Sequence, residues 1–284
     1  MRCASAAFWW RSSLSFSEGG LGKAFLRFAA PFSKLRAVPV IGPGLRWASA
    51  KLLPRDALTW VQVQHGPAQG LWLHLNPRTG RDYFRGDVEP EVQAVLRKYL
   101  RPGMTVYDIG ANIGFFSLLA ARLVGAAGRV TAFEADPEIA ARLRENVERS
   151  KDAPISVEEK AVWSSSNPVF FARADSEVSP DRGLGHVIDN DAEKLASGTI
   201  RVEAVSVDEC VHKSAAPDFI KCDVEGAEVE VFRGAAKLLN ERRPIILCEM
   251  HGDKNRQTLL KMFENLGYRC EPCGKNHVLA QYTE

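Results

Sequence analysis

The sequence predicts an α/β fold: a mostly parallel sheet with an antiparallel closing strand, preceded by a β-hairpin and a basic N-terminal extension. Three observations lead to this prediction. From Met104 onwards, short β-branched runs alternate with helical segments, which is the pattern of a parallel sheet covered on both faces. The first of these runs passes through a glycine-rich turn directly into an apolar helix. The last two runs, 268–271 and 277–282, are close enough in sequence to pair as antiparallel neighbours.

The composition is that of a soluble globular protein. A chain of 284 residues is long enough for one large α/β domain with an appendage, and 45% hydrophobic and 25% charged residues are ordinary proportions. A net charge of +2 gives no reason to expect nucleic acid as a partner. Six cysteines are too few for a disulfide framework, and no apolar run approaches the ~20 residues of a membrane span. Reduced thiols in a cytoplasmic protein are therefore expected.

Residues 1–55 differ from the rest of the chain, because they contain nine Lys or Arg residues and only one acid, Glu18. Apolar residues recur there at spacings of four and three, which predicts an amphipathic helix with a basic flank. These residues are Leu21, Phe25, Phe28, Phe32 and Leu35. We favour a helix packed on the domain or on a partner subunit; peripheral attachment to an anionic membrane is the alternative. The first 17 residues are also similar to an organelle transit peptide.

Residues 56–100 are predicted to form a hairpin and a lead-in helix. Trp60–Val63 and Leu71–Leu75 alternate in the period of strands around a glycine-containing turn. The helix that follows has five apolar residues on one side: Val92, Val95, Leu96, Tyr99 and Leu100.

The main domain, residues 101–284, contains the alternating strands and helices. After the first strand and helix come a second strand, 129–134, and a helix that Asp136 and Pro137 start and that runs to about Arg149. The polar stretch 164–191 is expected to be an inserted hairpin or loop on the ligand side. The other predicted elements are strands at 155–162, 200–207, 218–223 and 244–249, with helices at 225–239 and 255–266.

The stretch 105–117 combines a strand, Asp108 near its end, a turn at Gly110–Gly114 and the helix Phe115–Val124. Such a turn offers unpaired backbone N–H groups, and glycine lets a ligand approach them closely. A carboxylate directly before the turn would repel the pyrophosphate of a dinucleotide. Asp108 therefore favours a cationic ligand such as S-adenosylmethionine, which carries an ammonium and a sulfonium.

Glu134 ends the next strand, 24 residues after Gly110. An acid at that place accepts hydrogen bonds from both ribose hydroxyls of an adenosine, in dinucleotide and S-adenosylmethionine sites alike. A surface acid before a helix N-terminus is the other interpretation, and the spacing favours the ribose contact.

Four ionisable residues follow one another closely after the buried strand at 218–223: Lys221, Asp223, Glu225 and Glu228. Glu225 and Glu228 are expected on one face of a helix, where the dipole would stabilise each acid by ~0.3–1 kcal/mol. Because all four lie at the edge where an open α/β sheet binds its ligand, we expect shifted pKa values and a functional role.

Glu249 and His251 come directly after the next buried strand and reach the same edge. His251 is the predicted general base, because it would lie beside Asp223. Zinc was considered for Cys248-x2-His251 and Cys270-x2-Cys273-x3-His277. We reject it, because Cys248 should point into the sheet if His251 points into the crevice, and Cys270 lies in a predicted strand.

Five motifs resemble those of the FkbM-type methyltransferases and occur in the same order as in that family. They are Tyr83–Pro90, Val106–Gly114, Phe133–Pro137, Ile220–Glu228 and Glu249–His251. The resemblance covers about residues 60–280 and leaves 1–55 outside. Cys222 and Met250 stand where a small or aliphatic residue is more usual, and neither change touches the predicted chemistry.

The resemblance implies a class I Rossmann-like fold that binds S-adenosylmethionine and transfers its methyl group to a hydroxyl of a sugar, glycolipid or secondary metabolite. It also implies which residues contact the cofactor. Asp108, Gly110, Asn112 and Gly114 would hold the methionine part, Glu134 would bind the ribose, and Ala161 and Val162 would contact the adenine edge. Glu89 is a further implied cofactor contact. It implies catalytic roles for His251, Asp223, Glu249, Glu225 and Lys221.

In the expected mechanism, the protein holds the acceptor oxygen in line with the sulfonium methyl group and excludes water. His251 removes the hydroxyl proton while Asp223 or Glu249 orients the imidazole. A divalent ion held by Asp223, Glu249 and His251 is an alternative that we rank below the metal-free version.

Two other classes of function remain open at this point. A nicotinamide-dependent oxidoreductase shares the strand, turn and Glu134, but Asp108 should oppose its cofactor. A membrane-associated, non-catalytic scaffold would use residues 1–55 and keep a relic pocket, which the intact Asp108, Glu134 and His251 argue against. The expected partner is a small-molecule or glycan acceptor, with residues 1–55 as the candidate membrane contact of a cytoplasmic protein. The sequence names neither the acceptor nor the oligomeric state.

Overall fold

The computed structural model is built around a seven-stranded sheet. It describes residues 58–76, 79–174, 185–188 and 198–283, so the predictions for residues 1–55 lie outside the described residues. In chain order the strands are β1 (Thr59–Gln62), β2 (Trp72–Leu75), β3 (Thr105–Ile109), β4 (Arg129–Phe133), β5 (Ile155–Glu158), β6 (Ala161–Val162), β7 (Val169–Ala172), β8 (His186–Ile188), β9 (Thr199–Val202), β10 (Ala204–Val205), β11 (Phe219–Cys222), β12 (Ile245–Glu249), β13 (Tyr268–Cys273) and β14 (His277–Tyr282). The helices are α1 (Arg81–Arg85), α2 (Pro90–Tyr99), α3 (Phe115–Val124), α4 (Pro137–Arg149), α5 (Val207–Lys213), α6 (Glu228–Arg233), α7 (Ala236–Glu241) and α8 (Asp253–Asn265).

The strand order in the main sheet is β13-β14-β12-β11-β3-β4-β5. The five strands from β5 to β12 are parallel, β14 runs antiparallel to β12, and β13 pairs antiparallel with β14. This confirms the predicted parallel sheet and its antiparallel closing pair. The chain leaves β3 towards β4 on one side and returns to β11 on the other, so the carboxyl ends of β3 and β11 border a crevice.

The helix beside this crevice follows from its sequence. Eight of the ten residues of α3 are buried, which matches the unbroken apolar run that predicted it. α4 is amphipathic and buries Leu143 on its inner face. The side chain of Asp136 accepts a hydrogen bond from the Glu138 N–H at 2.9 Å, as expected of an N-cap residue. The hairpin of β1 and β2 is also confirmed.

Two predicted strands are each divided in the structure. The predicted strand 155–162 separates into β5, which joins the main sheet, and β6, which pairs in parallel with β10. A tight turn causes the break, since the Lys160 N–H donates to the Glu158 carbonyl. The predicted strand 200–207 becomes β9 and β10, and Ser206 caps α5. Within the described part of 164–191, β7 and β8 form the expected hairpin, and β9 extends it.

The predicted continuous helix at 225–239 is wrong. Glu225 and Gly226 have positive φ values of 54° and 104°, and α6 begins only at Glu228. The break before α7 falls at Gly234, where an added Cβ would lie 2.3 Å from the Trp163 carbonyl oxygen. Glu225 and Glu228 therefore do not share a helix face: Glu225 lies in a turn.

No helix in the described ranges is both long and apolar enough to cross a bilayer.

Candidate active site

Packing within the protein already requires glycine in the turn after β3. Gly110 has φ +76°, and a Cβ there would lie 1.7 Å from the Asp223 carbonyl oxygen. Gly114 has φ +87°, and its Cβ would lie 2.3 Å from Leu143 Cδ1 of α4. The two glycines thus let the ends of β3 and β11 and the helix α4 approach one another. A ligand approach, the other reason for glycine here, stays a prediction.

The cation next to Asp108 is a side chain of the protein, Lys221. Its carboxylate is 1% exposed, accepts a hydrogen bond from Ser117 Oγ at 2.5 Å and lies 3.6 Å from Lys221 Nζ. Burial raises the pKa of Asp108, and the nearby Lys221 opposes that effect. Lys221, which the sequence analysis placed with the catalytic residues, is thus the cation next to Asp108. The β3–β11 register explains this, because Lys221 is the direct cross-strand partner of Asp108.

A crevice with a cavity volume of about 70 Å³ opens to solvent beside the carboxyl ends of β3 and β4. Five predicted cofactor residues line it: Gly110, Asn112, Glu134, Ala161 and Val162. Asp108, Gly114 and Glu89 are not in its lining. Of the predicted catalytic residues, Asp223 and Glu225 line it, and Lys221, Glu249 and His251 do not.

Glu134 is held in place by the backbone. Its carboxylate accepts hydrogen bonds from the Asn112 N–H at 2.8 Å and the Asp136 N–H at 2.9 Å. Burial raises the pKa of Glu134 to about 7, although these hydrogen bonds favour the ionised form. Part of the crevice lining is apolar and includes Ile139 and Phe171. A fixed carboxylate beside apolar side chains can accept hydrogen bonds from a ligand while the ligand's flat ring is buried.

Lys221 and Asp223 link the two sides of the site. The Lys221 ammonium is 3.4 Å from Asp223 Oδ2, and both groups lie beside Asp108 at the end of β11. Burial opposes the charge on Lys221, but the carboxylates of Asp223 and Asp108 outweigh it and raise the lysine pKa. Lys221 therefore stays protonated at neutral pH and serves as a fixed positive charge.

His251 is bound by an acid that the sequence analysis did not give that role. Its Nδ1 lies 2.7 Å from Oε1 of Glu228, whose side chain is fully buried. Its Nε2 lies 3.3 Å from Glu225 Oε2 and 3.8 Å from Glu249 Oε1. The residue that orients the imidazole is therefore Glu228 rather than Asp223 or Glu249. The sequence placed Glu228 in the first turn of a helix, but the direction of its side chain depends on the Glu225–Gly226 turn, which was not predicted.

This arrangement raises the pKa values of His251 and Glu225. The Glu228 hydrogen bond raises the pKa of His251 to about 9. Burial raises the pKa of Glu225 to about 7, and the neighbouring His251 opposes the rise. Of the four residues for which shifted pKa values were predicted, Lys221 and Glu225 have raised pKa values. Glu225 can accept or release a proton near neutral pH, and His251 does so at about pH 9.

Two groups of possible metal ligands share Glu249. Asp223, Glu249 and His251 each place one ligand atom within 4.8 Å of the others, as do Glu89, Glu249 and His277. The first group is the set that the sequence analysis named as its metal-dependent alternative. Within the described ranges, these groups contain no cysteine, and Cys248 is fully buried in β12.

Replacing Glu228 with Gln should lower the pKa of His251 from about 9 towards its ordinary value of ~6.5, because the neutral amide no longer favours the imidazolium. Because folding raises this pKa, the pair stabilises the protein fully below pH ~6.5, and this stability is lost as pH rises through about 9. NMR titration of the His251 ring in both proteins measures the shift. An unchanged His251 titration in Glu228→Gln would contradict the assignment. Glu230→Gln, two residues along α6, is the matched control.

The strand order, the glycine turn after β3 and the acid after β4 define a class I Rossmann-like methyltransferase fold. The sequence model of the methyltransferase FkbM domain matches residues 108–270. The chain therefore belongs to the FkbM methyltransferase domain family, as its motifs indicated.

Two curated relatives are methyltransferases. Hexuronic acid methyltransferase AglP of Haloferax volcanii is 27% identical over 177 residues, 61% of this chain and 67% of AglP. The 31-O-demethyl-FK506 methyltransferase FkbM of Streptomyces tacrolimicus is 41% identical over 101 residues. That match covers 36% of this chain and only 34% of the relative. The structure of methyltransferase FkbM from Methylobacillus flagellatus has a TM-score of 0.47 and 18% identity, covering 65% of this chain and 45% of that one.

Proposed function

We propose that this protein transfers the methyl group of S-adenosylmethionine to a hydroxyl oxygen of a sugar, glycolipid or secondary metabolite. The observation that carries the proposal is the hydrogen-bonded Glu228–His251 pair, in which the second ring nitrogen, Nε2, lies 3.3 Å from Glu225 Oε2 of the crevice lining. A hydroxyl acceptor needs a group that takes its proton, and this pair supplies one. The name of one relative, the 31-O-demethyl-FK506 methyltransferase, specifies an oxygen acceptor, and the name of the hexuronic acid methyltransferase specifies a sugar acid, so both support the proposed acceptor class.

The residues that line the crevice fit the cofactor. Glu134 is fixed by two backbone hydrogen bonds, which suits an acceptor of hydrogen bonds from a ribose. Apolar side chains line part of the same crevice, which suits an adenine ring. Gly110 and Asn112 line the same crevice, as does the edge at Ala161 and Val162. We propose that these five residues hold the cofactor. When bound, S-adenosylmethionine supplies an electrophilic methyl group on its sulfonium.

The side chains of the protein then have two tasks. Glu225 and Asp223 line the crevice and bind the acceptor hydroxyl so that its oxygen is held in position. His251 takes the hydroxyl proton at Nε2, while Glu228 at Nδ1 orients the ring and stabilises the imidazolium that forms. Lys221 is buried with its ammonium 3.6 Å from the Asp108 carboxylate and 3.4 Å from the Asp223 carboxylate, so it offsets their negative charge.

Calorimetry with S-adenosylmethionine and with NAD tests the cofactor. We expect binding of S-adenosylmethionine only. Glu134→Gln should weaken that binding ~10- to 100-fold, because one strong hydrogen-bond acceptor becomes a weaker one. Glu148→Gln, an exposed acid of α4, is the matched control and should bind as the wild type does. Binding of NAD instead would favour the oxidoreductase, and equal binding by Glu134→Gln would contradict the ribose assignment.

The acceptor is tested by incubating the protein with S-adenosylmethionine that carries a labelled methyl group and with candidate glycans, glycolipids or cell extracts. Product analysis should place the label on an oxygen. Label found only on nitrogen or carbon would contradict the proposed acceptor class, while leaving the cofactor assignment intact.

A further inference from the structure

Glu89, Glu249 and His277 form a cluster that the proposed methyl transfer does not use. Three separate segments bring these residues together. Glu249 ends β12 and is the direct cross-strand partner of His277 at the start of β14. Glu89 immediately precedes α2 and has φ 39°. We call this group the Glu89–Glu249–His277 cluster.

The imidazole of His277 is buried with one nitrogen unsatisfied. The residue is 4% exposed, and its Nε2 has no hydrogen-bond partner among the described residues. Glu89 Oε2 is also buried without such a partner. These two atoms are 3.5 Å apart, and His277 Nε2 lies 3.7 Å from Glu249 Oε2. Burying a polar atom without a partner costs free energy, so the arrangement favours a further ligand between these atoms.

The spacing of the three atoms suits a metal ion better than an ammonium group. Nitrogen and oxygen ligands bind zinc at ~2.0–2.2 Å, so two ligands in tetrahedral geometry lie about 3.4 Å apart. Acceptors around an ammonium lie at ~2.8 Å from its nitrogen, so they are separated by about 4.6 Å. The observed separations of 3.5 and 3.7 Å are close to the metal value.

The charges point the same way. Two carboxylates and one neutral imidazole balance the two charges of a divalent ion. Lys221, the buried cation nearby, has its ion-pair contacts with Asp108 and Asp223 at 3.6 and 3.4 Å. Apart from His277, no Lys, Arg or His side chain in the described residues lies within ion-pair distance of Glu89. The buried Oε2 atom of Glu89 therefore remains available to a metal.

We propose that the Glu89–Glu249–His277 cluster binds a divalent first-row metal ion, with Glu89 Oε2, Glu249 Oε2 and His277 Nε2 as ligands. The set of two carboxylates and one imidazole is suited to Mn²⁺ or Zn²⁺. This site differs from the Asp223–Glu249–His251 group, because it uses the other oxygen of Glu249. It gives Glu89 a metal-binding role in place of the cofactor contact that the family resemblance implied.

Titration of Mn²⁺ into the full-length protein, without S-adenosylmethionine, tests the site. Mn²⁺ prefers oxygen and imidazole ligands, so the cysteines interfere less than they would with Zn²⁺. The electron paramagnetic resonance signal of free Mn²⁺ measures binding. We expect one equivalent to bind, and both Glu89→Gln and His277→Ala to bind at least ~10-fold more weakly. His251→Ala is the matched control and should bind Mn²⁺ as the wild type does.

Two results would overturn the proposal. The first is the absence of saturable binding of Mn²⁺ by the wild type. The second is weakened binding in His251→Ala together with normal binding in Glu89→Gln, which would place the ion at the other group. If circular dichroism shows that His277→Ala is unfolded, Glu89→Gln decides, since the Glu89 side chain is 30% exposed and its amide is nearly the same size. Methyl transfer is not part of the measurement, so failure here leaves the proposed function unaffected.

Discussion

Replacing His251 with Ala should lower kcat for methyl transfer to a hydroxyl acceptor by about 10²- to 10⁴-fold, the usual contribution of a positioned acid or base. The physical reason is that the acceptor oxygen loses the group that takes its proton during attack. The affinity for S-adenosylmethionine should change little, because His251 does not line the crevice that Glu134 and Asn112 border. Steady-state kinetics with labelled cofactor, together with calorimetry, separates the two effects.

The pKa of His251 determines how the rate of methyl transfer should change with pH. A base must be unprotonated to act, and Glu228 raises the pKa of His251 to about 9. In the free enzyme, kcat/KM should therefore rise with pH until about pH 9. Glu228→Gln should move this rise to lower pH, since the imidazole loses the carboxylate that favours its charged form. Glu228 acts through His251, so it is a positioning residue, and the pH profile distinguishes that role from a purely structural one.

His212→Ala is the matched control for His251→Ala. His212 is exposed in the last turn of α5, away from the crevice lining, so its replacement should leave kcat and the pH profile unchanged. Normal turnover in His251→Ala would remove His251 from the mechanism and leave Glu225, with its pKa of about 7, as the group to test next.

Replacing Gly110 with Ala should destabilise the protein by more than about 3 kcal/mol or prevent folding. An alanine with positive φ costs ~1–2 kcal/mol, because its Cβ crowds the following carbonyl. At Gly110 the Cβ would also lie 1.7 Å from the Asp223 carbonyl oxygen, which is backbone at the end of a central strand and cannot move aside. Denaturation in urea, followed by circular dichroism, measures the change in the free energy of unfolding.

Gly103→Ala isolates the packing contribution. Gly103 has φ +89°, yet nothing lies within 4 Å of its added Cβ. This variant should therefore lose only the conformational cost of ~1–2 kcal/mol. Equal losses in the two variants would show that the contact between the β3 and β11 ends is not tightly constrained.

The comparison between Gly110 and Gly103 also shows a limit of sequence reasoning. Both glycines lie beside β3, and the sequence alone does not say which one meets a neighbouring backbone. That contact joins residues 110 and 223, and it exists only because β3 and β11 are adjacent in the sheet. The sequence correctly located the turn, but it could not show which backbone the glycine approaches.

The contact between Glu228 and His251 was likewise not predicted from the sequence. The expected helix at 225–239 placed Glu225 and Glu228 on one face and left the orientation of His251 to Asp223 or Glu249. The turn with positive φ at Glu225 and Gly226 separates the two acids. Glu225 reaches the crevice, and Glu228 is buried behind His251. A local break in a helix thus decided which acid holds the histidine.

Local sequence patterns were sufficient to predict the α/β class, the antiparallel closing pair, the helices after β3 and β4, and the edge of the sheet where the acids and His251 meet. These follow from local hydrophobic periodicity, capping residues and the rule that parallel strands carry ligands at their carboxyl ends. Three contacts could be seen only in the folded protein: Lys221 with Asp108, Glu228 with His251, and Glu89 with His277. Each of these contacts joins segments far apart in the chain, and strand order and register set the distances between them.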